Sequence, residues 1–327
     1  MRSVFLGDCA LWGRNLWSRL ELQKAFAYLG YRNMDLKFYL GCAVWAYKGW
    51  VGDFYPRGSR STEFLQLYSD RLATVEVNST FYVLPDRQTV ERWAKDTSAN
   101  FKFCPKFPKQ LTHNGLLLPY LDQALHFLGL MSGFGDRLGV LFIQLPPSYS
   151  PVNFADLENF LRALPTKNYQ IALEVRHGDW FKAPYCDRLN VLLQNLGVGR
   201  VLLDSRPIYD LPLGDEIDPA LSIPVQQERR KPNLPLQPIV TAPFSIVRFI
   251  SHPDRDLNVR FWQEWMTYLQ DWLVNGTQVY FFVHCPIEER SPHNAKYFQE
   301  MLEKANVPVP ALPWNDLTPP PQQLTLF

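Results

Sequence analysis

The sequence predicts an α/β fold of the TIM type, a (β/α)8 barrel with a long proline-rich loop between strands 6 and 7. Three observations support it: eight short apolar runs, helical periodicity between nearly all of them, and a polar or charged residue at or near the carboxyl end of most. The runs are FYLGC (38–42), TVEV (74–77), FKFC (101–104), GVLFIQL (139–145), IALEV (171–175), RVLLD (200–204), SIVRFI (245–250) and VYFFVH (279–284). In such a barrel the functional site gathers at the carboxyl ends of the strands.

Stretches with helical period separate these strands, and several carry start or stop residues. Ser61 or Thr62 is expected to open the helix after the first strand, and Asp86 and Asn153 to open later ones. Gly197 is expected to end the helix through Leu189 and Leu196. A long aromatic helix is predicted over 261–272, and Ser291-Pro292 opens the last helix.

Composition narrows the class of protein. The 327 residues are 46% hydrophobic, and 33 Lys+Arg nearly balance 32 Asp+Glu, so nucleic-acid binding would need a local basic patch. Five scattered cysteines without a C-x-x-C pair are typical of buried thiols in a reducing compartment. With no apolar run of membrane-spanning length and no signal-peptide pattern, we expect a cytoplasmic protein without a membrane partner.

Three regions are expected along the chain. Residues 1–35 precede the first strand, either as an extension with a short helix or because Met34 is the true start. Residues 36–306 form the barrel, and residues 307–327 form a proline-rich tail.

The link between the sixth and seventh strands contains eight prolines and the basic run Arg229-Arg230-Lys231. Such a stretch is a poor helix former and too long for an idle connection. It is therefore either a lid or substrate-binding arm beside the site, or a rigid surface loop.

The strand ends supply the candidate site. The candidate catalytic residues are Glu76, Glu174, His177 and Asp204, and His284 could also transfer protons or bind a metal. The candidate substrate-binding residues are Trp45, Asn78, Lys106, His113, Gln144, Arg176, Arg206 and Arg248. Lys106, Arg176 and Arg248 would converge on a phosphate or carboxylate. Alternatively, the cations and carboxylates neutralise each other as a buried ion-pair network.

No nucleotide or haem signature is present, and neither are the common zinc and serine-hydrolase motifs. The cofactor and metal content is unknown from the sequence, although the carboxylates are compatible with a single divalent metal.

The strand-end segments resemble the YecE-like family, domain-of-unknown-function family 72, over about residues 38 to 300. The resemblance lies in GCAVWAYKGWVGDFYP (41–56), VEVNSTFY (75–82), FKFCPKFPKQLTH (101–113), QLPPS (144–148), ALEVRH (172–177), LLDSRP (202–207) and VRFI (247–250). It implies a bacterial TIM-type barrel without a proven reaction. Such barrels are similar to the endonuclease IV and xylose isomerase group, which suggests phosphodiester or sugar chemistry by analogy. The six histidines here do not suit the multi-zinc cluster of endonuclease IV-type sites.

The last residues are similar to the Q-L-x-L-F motif that binds the bacterial sliding clamp. Gln323, Leu324, Leu326 and Phe327 would be the partner-binding residues, presented after Pro319-Pro320-Pro321. The alternative is an apolar tail that folds back on the barrel.

The leading functional hypothesis is an enzyme or binding protein for a phosphate-bearing substrate, with DNA or RNA as an expected partner. One alternative is a sugar or sugar-phosphate isomerase or lyase that uses Glu174 and Asp204 for proton transfer. Another is a non-catalytic adaptor that docks on the clamp through its tail.

Overall fold

The computed structural model describes residues 37–210, 219–229 and 231–316. Their eight strands are β1 (Phe38–Cys42), β2 (Thr74–Val77), β3 (Lys102–Pro105), β4 (Leu141–Gln144), β5 (Ile171–Glu174), β6 (Gly199–Asp204), β7 (Phe244–Ile250) and β8 (Gln278–His284). All neighbouring strands are parallel, in the order β3-β2-β1-β8-β7-β6-β5-β4. Two parallel bridges, Phe103↔Leu138 and Lys106↔Phe142, join the β3 and β4 segments and nearly close the barrel. The predicted fold is confirmed.

Helices connect successive strands on the outside of the barrel. Within the described ranges the α-helices are α1 (Phe64–Ser69), α2 (Ser79–Tyr82), α3 (Arg87–Lys95), α4 (Lys109–Thr112), α5 (Leu121–Met131), α6 (Phe154–Ala163), α7 (Tyr185–Leu196), α8 (Arg206–Tyr209), α9 (Pro219–Glu228), α10 (Val259–Val274) and α11 (Ser291–Lys304). Short 3-10 turns lie at Lys48–Trp50, Leu118–Tyr120, Ser132–Arg137, Pro151–Asn153, Gly178–Phe181, Asp256–Asn258, Glu288–Arg290 and Pro313–Asp316. No helix in the described part of the chain is both long and apolar enough to cross a membrane.

Some local signals fold as their chemistry predicts and others do not. The Asp86 carboxylate accepts the Thr89 N–H at 2.7 Å and so caps α3. Gly197 ends α7 with a φ of 64°, a conformation that glycine adopts without strain. In contrast, α1 begins only at Phe64 with Glu63 at its N-cap, so the predicted start at Ser61 or Thr62 was wrong. Asn153 lies at the N-cap of α6 as predicted, although among the described residues its side chain makes no capping hydrogen bond.

Alternation along each strand separates two apolar layers. On β8, Phe281 packs outward on Phe298 of α11 with ring centroids 4.8 Å apart. Tyr280 and Phe282 belong to the separate inner cluster that fills the barrel. Continuing the inward series by two residues brings His284 to the carboxyl end of the barrel, here called the mouth.

The described residues of the connection between β6 and β7 contain more helix than its prolines suggest. They include α8 and α9, and Pro224 lies inside α9. Pro219 is tolerated at the start of α9 because the first helical N–H groups lack partners in any case. Val225 is buried against Leu203 and Ile250, and this contact offsets the cost of the internal proline.

Two sets of sequence predictions fall outside the described residues: the extension over 1–35, and the partner-binding set Gln323, Leu324, Leu326 and Phe327.

Candidate functional site

The guanidinium of Arg248, on the inward face of β7, lies across the middle of the mouth. It donates twice to Glu76 of β2, from Nε to Oε2 and from Nη2 to Oε1, both at 2.8 Å. Its Nη1 donates to Oε2 of Glu174 on β5 at 2.7 Å. None of the three residues is more than 4% exposed. Arg248 therefore joins three strands through a bidentate and a single charge-assisted contact.

The two carboxylates are held ionised by their neighbours. Burial acts to raise the pKa of Glu174, but Arg176, Arg248 and Lys106 outweigh it and lower this pKa to about 2. Burial likewise opposes the ionisation of Glu76, yet Arg248 and His284 keep its pKa well below the usual range. Both groups are poor proton acceptors at neutral pH.

Arg176 follows β5 and extends this chain of charges. Its Nε donates to Oε1 of Glu174 at 2.5 Å, and its side chain is 15% exposed. Its two terminal nitrogens have no hydrogen-bond partner among the described residues. They remain available to a ligand at the mouth.

His284 completes the charged centre from β8. Its Nε2 lies 3.1 Å from Oε2 of Glu76. Burial lowers the pKa of His284 although Glu76 acts to raise it, so the ring is uncharged at neutral pH. The contact with Glu76 places the ring proton on Nε2 and leaves Nδ1 as an acceptor.

Lys106, directly after β3, is the exception to this pairing. Its Nζ donates to Oε1 of Gln144 at 2.7 Å and lies 4.0 Å from the centre of the Phe81 ring. Throughout 37–210, 219–229 and 231–316 no carboxylate lies within the 4.0 Å of an ion pair with this nitrogen. Burial, assisted by the positive charge of Arg248, lowers the pKa of Lys106 to about 7.

Two further predicted residues lie at the edge of the mouth. His113 contacts Phe81 edge-on, with ring centres 5.1 Å apart, and its Nδ1 lies 2.8 Å from the Thr112 hydroxyl. Burial and then Lys106 lower the pKa of His113 to about 4. Asn78 follows the end of β2 and donates to the carbonyl of Ala43 at 3.1 Å, which ties the β1 and β2 ends together.

The structure thus brings together seven side chains, called here the mouth cluster: Glu76, Lys106, Gln144, Glu174, Arg176, Arg248 and His284. Their arrangement combines the two interpretations that the sequence leaves open. Arg248 and Arg176 are paired with carboxylates in a buried network, whereas Lys106 is not.

Asp204 does not join the cluster, which corrects its expected place among the acidic side chains at the mouth. Val201 and Leu203 lie in inner clusters, so Asp204 points the other way, toward the helices. Its Oδ2 accepts from Trp265 Nε1 and from Arg206 Nη2, both at 2.8 Å.

Arg206 is bound to Asp204 on the outer side of the barrel. Its Nη1 also donates to Glu264 of α10 at 2.7 Å, and its guanidinium stacks 5.2 Å from the Phe261 ring centre. Asp204 and Arg206 therefore anchor α10 to the end of β6, away from the mouth cluster.

Trp45 and His177 are also separate from the mouth cluster. Trp45 packs edge-on against Trp93 of α3, with ring centroids 5.2 Å apart, and against Phe103 at 6.5 Å. His177 begins the turn after β5, where its Nδ1 accepts the Asp179 N–H at 3.2 Å. Their positions favour structural roles.

Side chains from two connections reach the mouth without having been named as site residues. Lys231 is ion-paired with Glu228 at 2.9 Å. Burial lowers its pKa, and Arg248 and Glu76 are among the charges that act on it. Glu288 follows β8, and burial raises its pKa to about 8 although Ser291 and Lys231 act to lower it. In the sequence, the basic run 229–231 was the feature that pointed to Lys231 as a residue near the site. No sequence feature pointed to Glu288.

The basic run does not form an outward patch in its described members. Arg229 donates from Nε to the Ile208 carbonyl at 2.6 Å and stacks 5.5 Å from the Tyr209 ring centre. Lys231 is held by Glu228, and Arg230 lies outside the described residues.

Within the described ranges, no group of three histidine, cysteine, aspartate or glutamate residues is arranged to hold a metal ion. The mouth cluster instead offers the uncompensated ammonium of Lys106, the terminal nitrogens of Arg176 and the Nδ1 acceptor of His284. This set can bind an anionic group and exchange a proton near neutral pH.

A barrel with a charged cluster at the carboxyl ends of its strands defines a protein of the TIM-barrel class. The family described as "Protein of unknown function DUF72" matches residues 39–317. The chain is 33% identical over 291 residues to the UPF0759 protein YecE of Escherichia coli (strain K12), which spans 88% of this chain and 99% of YecE. The chain therefore belongs to the DUF72 family.

Three other comparisons agree. The UPF0759 protein YunF of Bacillus subtilis (strain 168) is 26% identical over 160 residues, 46% of this chain and 54% of YunF. A DUF72 family crystal structure from Enterococcus faecalis V583 has a TM-score of 0.60 at 16% identity, covering 83% of this chain and 99% of that one. Another, from Thermotoga maritima MSB8, has a TM-score of 0.57 at 21% identity, covering 81% and 99%. At these identities the structural likeness supports the fold alone.

Proposed function

We propose that this protein is an enzyme that binds a small phosphate-bearing substrate at the mouth and uses Lys106 for proton transfer. The observation that carries the proposal is that Lys106 is buried and that, among the described residues, no carboxylate forms an ion pair with its ammonium group. A buried charge without a counter-charge is costly, and an anionic ligand would supply the missing charge.

Arg176 supports the anionic character of the ligand. Its Nε is held by Glu174, which fixes the guanidinium plane, and its terminal nitrogens are unused among the described residues. A fork of two such nitrogens fits two oxygens of a phosphate or a carboxylate. Lys106 and Arg176 act on the pKa of His113 together, consistent with both lying on the same side of the mouth.

Proton transfer falls to Lys106 rather than to the carboxylates. Glu174, which the sequence suggested as a general base, has its pKa lowered to about 2, and Asp204 lies among the outer helices. Lys106, with a pKa of about 7, can both accept and release a proton at neutral pH.

A small ligand suits the site better than a nucleic-acid strand. Lys106 is 6% exposed and the Arg176 side chain 15%, so a ligand must enter the mouth to reach them. The described members of the basic run are bound within the protein. Nucleic-acid binding is the alternative, and it predicts salt-sensitive binding of an oligonucleotide.

The test is a thermal-shift and calorimetric titration with glycerol 3-phosphate, lactate and inorganic phosphate. We expect glycerol 3-phosphate to raise the Tm, and Lys106→Met or Arg176→Lys to weaken its binding at least tenfold. Lys182→Met is the matched control, because this lysine is exposed and, within the described part of the chain, forms an ion pair with Asp179 alone.

Lactate preferred over glycerol 3-phosphate would replace phosphate by carboxylate as the anionic group. Absence of binding by every small anion, together with salt-sensitive binding of a single-stranded oligonucleotide, would overturn the proposal in favour of nucleic acid.

A further inference from the structure

We infer that Lys106 is a nucleophile that forms an imine with the carbonyl carbon of an anionic aldehyde or ketone. This inference rests on the proposed function and names the substrate class of the same site. The amine, the anion-binding fork and the aromatic wall that it requires all lie at one side of the mouth.

The position of the amine suits attack on a carbonyl. Nζ is fixed by one hydrogen bond to Gln144 Oε1, an acceptor that uses a single N–H. The ring centres of Phe81 and Phe142 lie 4.0 Å and 5.8 Å from Nζ, and the two rings exclude water from that side. Burial favours the neutral form of this lysine, which is the nucleophilic form.

The charges around Nζ act in both directions. Arg248 and Arg176 disfavour the ammonium, Glu76 and Glu174 favour it, and burial is the largest influence. With a pKa of about 7, Lys106 has a much larger neutral fraction at pH 7 than an ordinary lysine. For a lysine of ordinary pKa the neutral fraction at this pH is about one in three thousand.

The step balances without a further reactant. The Nζ lone pair forms a C–N bond while the carbonyl π pair moves to oxygen, and proton transfer from nitrogen to oxygen gives a carbinolamine. A second proton from nitrogen then leaves with the hydroxyl as water, and the C=N bond forms. The sum is amine plus carbonyl to imine plus water, and protonation of the imine gives an iminium ion.

The surroundings also fit the product. Glu76 and Glu174 are fixed carboxylates that act on the charge at this nitrogen, and they stabilise the positive iminium. The terminal nitrogens of Arg176 hold the anionic group of the substrate. An iminium withdraws electrons from the adjacent carbon, so the reactions that it supports are proton removal or bond cleavage at that carbon.

The experiment is reductive trapping at pH 7. The protein is incubated with dihydroxyacetone phosphate, or with pyruvate, and sodium cyanoborohydride, which delivers hydride to the C=N carbon and leaves a stable secondary amine. Peptide mapping by mass spectrometry then compares the rate of labelling at Lys106 with that at the surface residues Lys109 and Lys182. We expect Lys106 to be labelled at least tenfold faster than either.

Variants separate this result from general reactivity. Lys106→Met should remove the fast labelling, and Lys182→Met should leave it unchanged. Lys106→Arg keeps a cation but not a nucleophilic amine, and should bind glycerol 3-phosphate without being trapped. Circular dichroism of each variant establishes that it is folded.

The outcomes distinguish the two proposals. If glycerol 3-phosphate binds but Lys106 is labelled no faster than Lys109 and Lys182 by either carbonyl compound, the imine is overturned and the anion site stands. If no small anion binds, the proposed function falls. Fast labelling of Lys106 that glycerol 3-phosphate suppresses supports both.

Discussion

Arg248 and Lys106 are both buried basic residues at the mouth of the barrel, but among the described residues only Arg248 is bonded to carboxylates. The positive charge of Arg248, added to burial, helps to lower the pKa of Lys106. The network that satisfies the guanidinium therefore leaves the amine without a carboxylate partner among the described residues, and its pKa is low for a lysine. This difference gives the two residues opposite effects on stability.

Replacing Arg248 by Met should destabilise the protein strongly. The change leaves the buried carboxylates of Glu76 and Glu174 without their shared cation, at an expected cost of about 3 to 5 kcal/mol in the free energy of unfolding. Urea denaturation at pH 7 measures it. The exposed pair Arg87–Glu91 offers a control, since Arg87→Met should cost less than about 1 kcal/mol. Equal losses in the two variants would contradict the buried network.

Replacing Lys106 by Met should stabilise the protein at pH 6. The wild-type lysine has its pKa lowered from 10.5 to about 7, so the unfolded chain binds more protons than the folded one between these values. Wild-type stability should therefore rise with pH from about 7 to 10.5, and the advantage of the variant should shrink over that window. Denaturation midpoints across this range measure the effect, and a pH-independent difference would argue against an unpaired ammonium.

Acid should weaken the network through Glu174. Its folded pKa of about 2 lies below the usual 4.5, so its contribution is complete above pH 4.5 and is lost as the pH falls toward 2. This lowering of the Glu174 pKa corresponds to a contribution of about 3 kcal/mol to the free energy of unfolding. Glu174→Gln should be less stable than wild type at neutral pH and should lose less stability between pH 4.5 and 2. Parallel pH profiles for the two proteins would be inconsistent with an ionised, paired Glu174.

Asp204→Asn should alter stability without altering ligand binding. The amide replaces one carboxylate oxygen that accepts hydrogen bonds from Arg206 and Trp265, at an expected cost of about 2 kcal/mol. Because these contacts lie among the helices, the affinity for glycerol 3-phosphate should stay within twofold of wild type. Calorimetry on the folded variant measures the affinity. A tenfold loss would indicate that Asp204 is a ligand-binding residue.

The fold was predictable because buried parallel strands appear in a sequence as short apolar runs. Eight such runs separated by helical segments are compatible with few folds. The site was harder, because a residue at a strand end reaches the mouth only if it lies on the inward face. Asp204 directly follows Leu203, which faces inward. Because apolar residues occupy both faces of β6, the sequence pattern does not show which face of the strand Asp204 is on. Strand alternation places Glu76 and Arg248 on the inward faces of their strands, and it places Asp204 on the outward face of β6.

Side chains outside the strands were less predictable still. Asn78 follows Glu76 by two residues, but β2 ends at Val77 and the chain turns, so the side chain bonds to Ala43 instead of continuing the strand face. Lys231 and Glu288 lie on connections whose course depends on tertiary packing, and no periodicity fixes where such residues point.

The contacts of Arg248 also bear on how the site is acquired during folding. Arg248 is 172 residues from Glu76 and 74 from Glu174 along the chain, so these bonds form only after distant parts of the chain have met. Neither an amino-terminal nor a carboxyl-terminal half of the barrel contains all three residues. The mouth cluster is therefore completed late in folding, and it requires the assembled barrel rather than any autonomous fragment.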